Sequence, residues 1–151
     1  MDAKELMIGD WVQTKEVRSN GGCLPSFKRQ VAQIKDCGAE LSFTDRYGNK
    51  CYNTLSYDNI EPIPLTRQIL KANWCYEGVE LSIRYKEGEG GYLISENRRE
   101  NGTNVFELVA MYYDEEFSDY YSVPNSEIEL RYVHELQHAL RLCGIEKEIE
   151  L

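Results

Sequence analysis

The chain has 151 residues, of which 42% are hydrophobic and 28% charged, and a formal net charge of −9. That length allows one domain or two small ones, and no apolar run is long enough for a membrane-spanning helix. The acidity is uneven: residues 1–66 carry 8 Lys/Arg against 9 Asp/Glu and residues 67–151 carry 9 against 17, which argues against a general phosphate-backbone binder while leaving a local basic pair at Lys28-Arg29.

The first ten residues lack the apolar region of a signal peptide, so a cytoplasmic protein is expected. Leu6-Met7-Ile8-Gly9-Asp10-Trp11-Val12 combines apolar residues with a Gly-Asp turn and predicts a strand entering a tight bend. Ser19-Asn20-Gly21-Gly22 is a loop. Residues 29–35 predict a strand with Ala32 and Ile34 on one face, Asp36-Cys37-Gly38 a turn, and residues 39–44 a strand with Leu41 and Phe43 on one face. Arg46-Tyr47-Gly48-Asn49 turns the chain and residues 50–55 pair back. Short strands at this spacing predict a small antiparallel barrel of SH3-like type, an architecture used for peptides and nucleic acids alike. The five cysteines are Cys23, Cys37, Cys51, Cys75 and Cys143. Their number is odd and no two form C-x-x-C, so we expect free thiols, several of them buried.

Ile60-Glu61-Pro62-Ile63-Pro64-Leu65 is the expected boundary, because each proline favours extended backbone before it and removes a donor. Thr66 then caps a helix over 67–73, with Leu65 and Leu70 as a hydrophobic staple. Val79, Leu81, Ile83 and Tyr85 alternate with polar residues and predict a strand. Gly88-Glu89-Gly90-Gly91 turns it into a partner at 92–98, since no helix or Lys-Ser/Thr pair follows to make a phosphate loop. Asn101-Gly102 is a type I′ turn signal, and residues 105–113 form a strand apolar on both faces.

Tyr112-Tyr113-Asp114-Glu115-Glu116-Phe117-Ser118-Asp119-Tyr120-Tyr121 packs five aromatics and four acids into ten residues. The bland reading is two strand ends with inward rings and an acidic loop, and we favour it. The sharper readings are a partner-binding surface made of Tyr112, Tyr113, Phe117, Tyr120 and Tyr121, or an acidic nucleic-acid mimic built on Asp114, Glu115, Glu116 and Asp119. Ser126 and Glu129 fit a capping box, but the alternation of Ile128 and Leu130 favours a strand before a final helix that starts near Arg131. Gly144 is placed to end that helix, and the tail at 146–151 alternates Ile149 and Leu151 as an edge strand would.

The final helix holds His134-Glu135-Leu136-Gln137-His138, a match to the H-E-x-x-H zinc-protease pattern. Histidines at i and i+4 share a face, and Glu135 would be the general base of a zinc hydrolase. At 100° per residue Val133, Leu136, Ala139, Leu140 and Cys143 form the apolar side. His134 and His138 fall nearly opposite, so we expect solvent-facing imidazoles and no metal. No G-x-x-H continuation follows and no third histidine exists. Zinc belongs only to the hydrolase alternative; otherwise no cofactor is expected.

Three segments in order, Glu5-Leu6-Met7-Ile8-Gly9-Asp10-Trp11-Val12, Ile60-Glu61-Pro62-Ile63-Pro64-Leu65-Thr66 and Tyr132-Val133-His134-Glu135-Leu136-Gln137, resemble a group of small uncharacterised proteins of Bacteroides-type gut bacteria and their phages and prophages. Relatives in that group resemble this chain in Tyr-Val-His-x-Leu-Gln without a histidine at the place of His138. The resemblance therefore implies a mobile-element origin, a two-part layout and a signature that serves helix packing; it implies no site residues.

The resulting expectation is an α+β protein: an N-terminal SH3-like small β-barrel over 1–61, then a part over 62–151 with a short helix, an antiparallel β-meander and a C-terminal helix packed on it. The expected role is a non-enzymatic accessory protein that binds a protein or, with less support, a nucleic acid. No membrane contact is expected, and the oligomeric state is left open.

Overall fold

The computed structural model describes residues 5–15, 17–19, 22–24, 26–74, 80–84, 90–99 and 104–151, with backbone alone at 17–19, 22–24, 80–84, 98 and 104. The predicted Asn20-Gly21 and Asn101-Gly102 turns, Gly88-Glu89, Val79, Tyr85, Cys75 and the Cys23 side chain lie outside the described residues. The architecture is mixed α+β, mostly antiparallel strands in two larger sheets with two helices. Among the described residues no helix is long and apolar enough to cross a membrane.

The chain divides into two compact units: Met1–Pro64 with Tyr132–His138, and Leu65–Arg131 with Ala139–Leu151. Unit 1 contains β1 (Trp11–Thr14), β2 (Val17–Ser19), β3 (Gly22–Leu24), β4 (Lys28–Lys35), β5 (Gly38–Thr44), β6 (Lys50–Ser56), a 3-10 turn (Tyr57–Asn59) and β7 (Ile60–Pro62). Five of these strands form one sheet in the order β6-β5-β4-β1-β7, and β2 and β3 form a separate hairpin. The five-strand sheet is open: among the described residues β6 and β7 share no ladder. Its core is Leu6, Val12, Val31, Ala39, Leu41 and Ile60, all under a tenth exposed, with Leu55 and Tyr57 packed on them.

The strand at 29–35 does not bury the face expected of it. A bulge between Val31 and Gln33 makes Ala32 the extra residue, and the register runs Val31 opposite Leu41, then Ile34 opposite Ala39. One inserted residue reverses the alternation, so Val31 enters the core where Ala32 was expected, and Ile34 stays 37% exposed at its margin. The Gly9-Asp10 bend is as predicted and is closed twice: Asp10 N–H donates to Met7 O at 3.1 Å and Met7 N–H to Asp10 Oδ2 at 2.7 Å. Gly9 has φ +87°, a conformation that favours glycine.

Unit 2 contains α1 (Arg67–Asn73), β8 (Glu80–Arg84), β9 (Gly91–Arg98), β10 (Asn104–Asp114), β11 (Asp119–Ser122) and β12 (Ile128–Leu130). Thr66 caps α1 by accepting from Ile69 N–H, and Leu65 and Leu70 are both buried. The sheet order is β11-β10-β9-β8, with β12 also on β10. β10 is its centre: Val105, Phe106, Leu108 and Val109 are all buried, so both of its faces are covered, as their unbroken apolar character predicts.

The final helix, α2 (Val133–Leu142), ends in a Schellman motif. Ile145 N–H donates to Leu140 O at 2.8 Å and Gly144 N–H to Arg141 O at 3.0 Å, with Gly144 at φ +72°. The tail beyond it is not the expected edge strand. Ile149 is buried, and the Asn73 side chain serves Glu150 on both sides, accepting from its N–H at 2.7 Å and donating to its carbonyl at 2.8 Å. One amide side chain thus supplies the pairing a strand would have needed. Cys37, Cys51 and Cys143 are free thiols, as expected; Cys37 is exposed and the other two are half-buried, so none of these three is among the buried ones expected.

Candidate functional site: the histidine helix and the aromatic hairpin

The first turns of α2 belong to unit 1 and are anchored there. Val133 N–H donates to Ile63 O at 2.9 Å, and Tyr132 bridges Pro64. Glu135 Oε2 accepts from Tyr132 N–H at 3.0 Å, which is the return half of a capping box. The carboxylate that the hydrolase reading needs as general base is therefore engaged in holding the helix start.

The imidazoles do not face solvent as expected. His134 is 5% exposed, stacks on Tyr132 with ring centroids 5.8 Å apart, and meets His138 edge-on at 5.7 Å. His138 Nε2 lies 2.8 Å from Oδ2 of Asp10, a residue with no exposed surface. Gln137 is 6% exposed; its Oε1 accepts from Trp11 N–H at 2.8 Å and its Nε2 donates to Gly9 O at 3.1 Å. The helical wheel counts only apolar residues, and a polar side is equally buriable when it satisfies backbone groups. Here those groups belong to the bend at 7–11. Sequence reasoning saw that bend and that helix but missed Asp10 and Gln137 as the residues that join them.

Burial in this setting pushes the His134 pKa down, and Nδ1 has no hydrogen-bond partner. The folded protein then holds fewer protons at His134 than the unfolded chain does below the ordinary histidine pKa of about 6.5. Its contribution to stability is complete above that pH and is lost as pH falls through the lowered value. Thermal melts from neutral to mildly acidic pH should show the melting temperature falling, and His134→Phe, which keeps a ring on Tyr132 but cannot titrate, should flatten that fall. An equally steep fall in the variant would assign it to other groups.

Among the described residues no group of three or more His, Cys, Asp or Glu is arranged to hold a metal ion. Asp10 is the carboxylate that reaches His138, but their direct 2.8 Å contact leaves no space for an ion between them.

The five aromatics of the second candidate are brought together on the β10–β11 hairpin, where Tyr112 pairs with Tyr121, Tyr113 with Tyr120 and Asp114 with Asp119. Asp114 Oδ1 accepts from Glu116 N–H and Phe117 N–H at 2.9 and 3.3 Å and so shapes the turn, while Ser118 takes φ 53°. Period-two alternation divides the rings. Tyr113 and Tyr120 share one side, 5.0 Å apart and half-buried. Tyr112, Tyr121 and Phe117 share the other, with centroids 5.9 Å (Tyr112 to Tyr121) and 6.4 Å (Phe117 to Tyr121) apart, and exposures of 45%, 40% and 67% respectively. The favoured expectation of inward rings is thus overturned for these three. Asp114, Glu115, Glu116 and Asp119 stand in the same turn, and two of them are used by its own backbone: Asp114 as above, and Asp119 by accepting from Tyr120 N–H.

The fold and these two sites define a mixed α+β protein with a helix whose His134 and Gln137 are buried and a hairpin whose Tyr112, Phe117 and Tyr121 are exposed. No family model matches the chain, and neither a curated protein nor a solved structure is detectably similar to it.

Proposed function

We propose that this is a non-enzymatic accessory protein that binds another protein through Tyr112, Phe117 and Tyr121, with Tyr113 and Tyr120 bracing the hairpin from its other side. The observation that carries this reading is the exposure of three rings on one hairpin, with Tyr121 in contact with both Tyr112 and Phe117. Tyrosines and phenylalanines presented together in this way are the side chains that dominate interface energetics. The acids of the turn select a partner face that carries Lys or Arg. A cytoplasmic, prophage-type setting belongs to the same proposal and rests on the sequence resemblance.

Unit 1 fits this role as a second module of SH3-like type. In the order β6-β5-β4-β1-β7 the first strand, β1, lies between β7 and β4, and the 3-10 turn sits just before β7. That arrangement supports the SH3-like reading even though the sheet is open.

Selection from a display library of random peptides on the intact protein tests the docking face. Enriched sequences should be rich in Lys and Arg, and Phe117→Ala or Tyr121→Ala should weaken their binding by about tenfold or more each with the circular dichroism spectrum unchanged. Binders indifferent to both substitutions would remove the hairpin from the function.

A further inference from the structure

We propose that unit 1 holds a second binding site, for a short stretch of single-stranded nucleic acid, at the end of the sheet where β4 begins, β5 ends and β6 begins. Three exposed rings stand there: Phe27 at 45%, Tyr47 at 73% and Tyr52 at 55%. Each carries a cation on its face. The Arg29 guanidinium is 5.0 Å from the Phe27 centroid and 4.0 Å from that of Phe43, Arg46 is 4.7 Å from Tyr47, and the Lys50 ammonium is 6.0 Å from Tyr52. The register brings these groups to one end of the sheet but on both of its faces: Arg29 and Phe43, which is opposite Cys51, share one face, and Lys50 and Tyr52, opposite Thr44 and Ser42, share the other, with the turn at 45–49 between them.

The charges are uncompensated where it matters. Among the described residues the ion pair made by a lysine or arginine of unit 1 is that of Lys35 with Glu40; Lys28, Arg29, Arg46 and Lys50 have none. Partial burial of Arg29 without a carboxylate partner lowers its pKa, while it remains a cation. The acid in the same turn, Asp45, is a turn staple: it accepts from Tyr47 N–H at 2.8 Å, Asn49 N–H at 2.9 Å and Asn49 Nδ2 at 3.1 Å. With Gly48 at φ +85° and Asp45 N–H donating to Asn49 O at 2.9 Å, the turn presents Tyr47 on a fixed backbone.

Rings paired with cations on both faces of this end suit a ligand that itself alternates flat bases and phosphates and is flexible enough to cross the end of the sheet. A base stacked on an aromatic ring contributes about 1–3 kcal/mol, and the cations that cover the rings in the free protein are placed to turn to the adjoining phosphates. A single strand exposes its base faces, whereas a duplex hides them, and the net charge of −9 repels an extended polyanion. This is how a locally basic end coexists with an acidic chain.

Fluorescence anisotropy on the full chain tests the proposal with a labelled oligothymidylate of about ten nucleotides at low salt, a duplex of equal length and a polyglutamate peptide. The single strand should bind tightest, and the logarithm of its binding constant should fall against log salt with a slope of about −2 if three phosphates are neutralised. Tyr47→Ala and Tyr52→Ala should each weaken binding by about tenfold, while Tyr47→Phe keeps the stacking surface and should bind like the parent. Phe117→Ala should leave this binding unchanged, which separates the site from the hairpin. Absence of single-strand binding, an undiminished Tyr47→Ala/Tyr52→Ala double variant, or preference for the duplex or polyglutamate would each overturn the assignment.

Discussion

Replacing Gln137 with leucine should lower the unfolding free energy by about 2–4 kcal/mol, although the new side chain is more hydrophobic and of similar size. Gln137 is 6% exposed and serves two backbone groups at once, Trp11 N–H and Gly9 O. Leucine satisfies neither, and an unpaired buried donor or acceptor costs about 1–3 kcal/mol. Leu142, on the same helix, is 85% exposed, so Leu142→Gln should stay within about 0.5 kcal/mol of the parent. Urea unfolding with an unchanged m-value measures both. A Gln137→Leu protein as stable as Leu142→Gln would show that the bend at 7–11 does not depend on this amide.

Gly38→Ala should cost about 3 kcal/mol, for a reason that lies in the backbone of β6. Gly38 opens β5 between two strands, opposite Lys35 and Ser56. A Cβ built on it would press into the Leu55 carbonyl group, within 2.9 Å of its carbon and closer to its oxygen. Neither strand can retreat without lengthening ladder hydrogen bonds, so the overlap is relieved only by distorting the sheet. Gly48→Ala supplies the contrast. A Cβ added there would meet nothing within 4 Å beyond its chain neighbours, and its cost of about 1 kcal/mol comes from the φ of +85°, which Gly48→Asn should largely recover. Hydrogen exchange at the β5 and β6 amides should show loss of protection in Gly38→Ala; protection equal to that of Gly48→Ala would remove the close approach from the account.

The elements were largely legible because their signals are local. Thr66 before Arg67, Gly144 after the last apolar residue of α2, the turn at Arg46-Tyr47-Gly48-Asn49 and the apolar run of β10 each act on neighbours a few residues away. Side chains that act at long range were not. Gln137 reaches Trp11 and His138 reaches Asp10 across more than a hundred residues, and Asn73 holds Glu150 across 77. A polar side chain has no periodicity that announces its partner. Its worth depends on which backbone donors and acceptors the sheets leave over, and those are known only once the strands have paired. The H-E-x-x-H match shows the same limit: the two histidines share a helix side as their spacing requires, but Glu135 turned to a backbone N–H and Asp10 closed on His138.

Chain composition and short-range patterning were sufficient for the α+β class, the antiparallel strands, both helices with the Thr66 cap of α1 and the Gly144 stop of α2, and the clustering of five aromatics in one hairpin. Packing chose which way those rings point and which helix side is buried. Strand pairing can place Tyr112 and Tyr121 on a common side, which Phe117 joins from the turn, yet whether that side is covered depends on what lies across from it, and here it stays open. The reason is general: local propensity acts through neighbouring torsions, whereas burial is a property of two surfaces that meet only after the chain has folded.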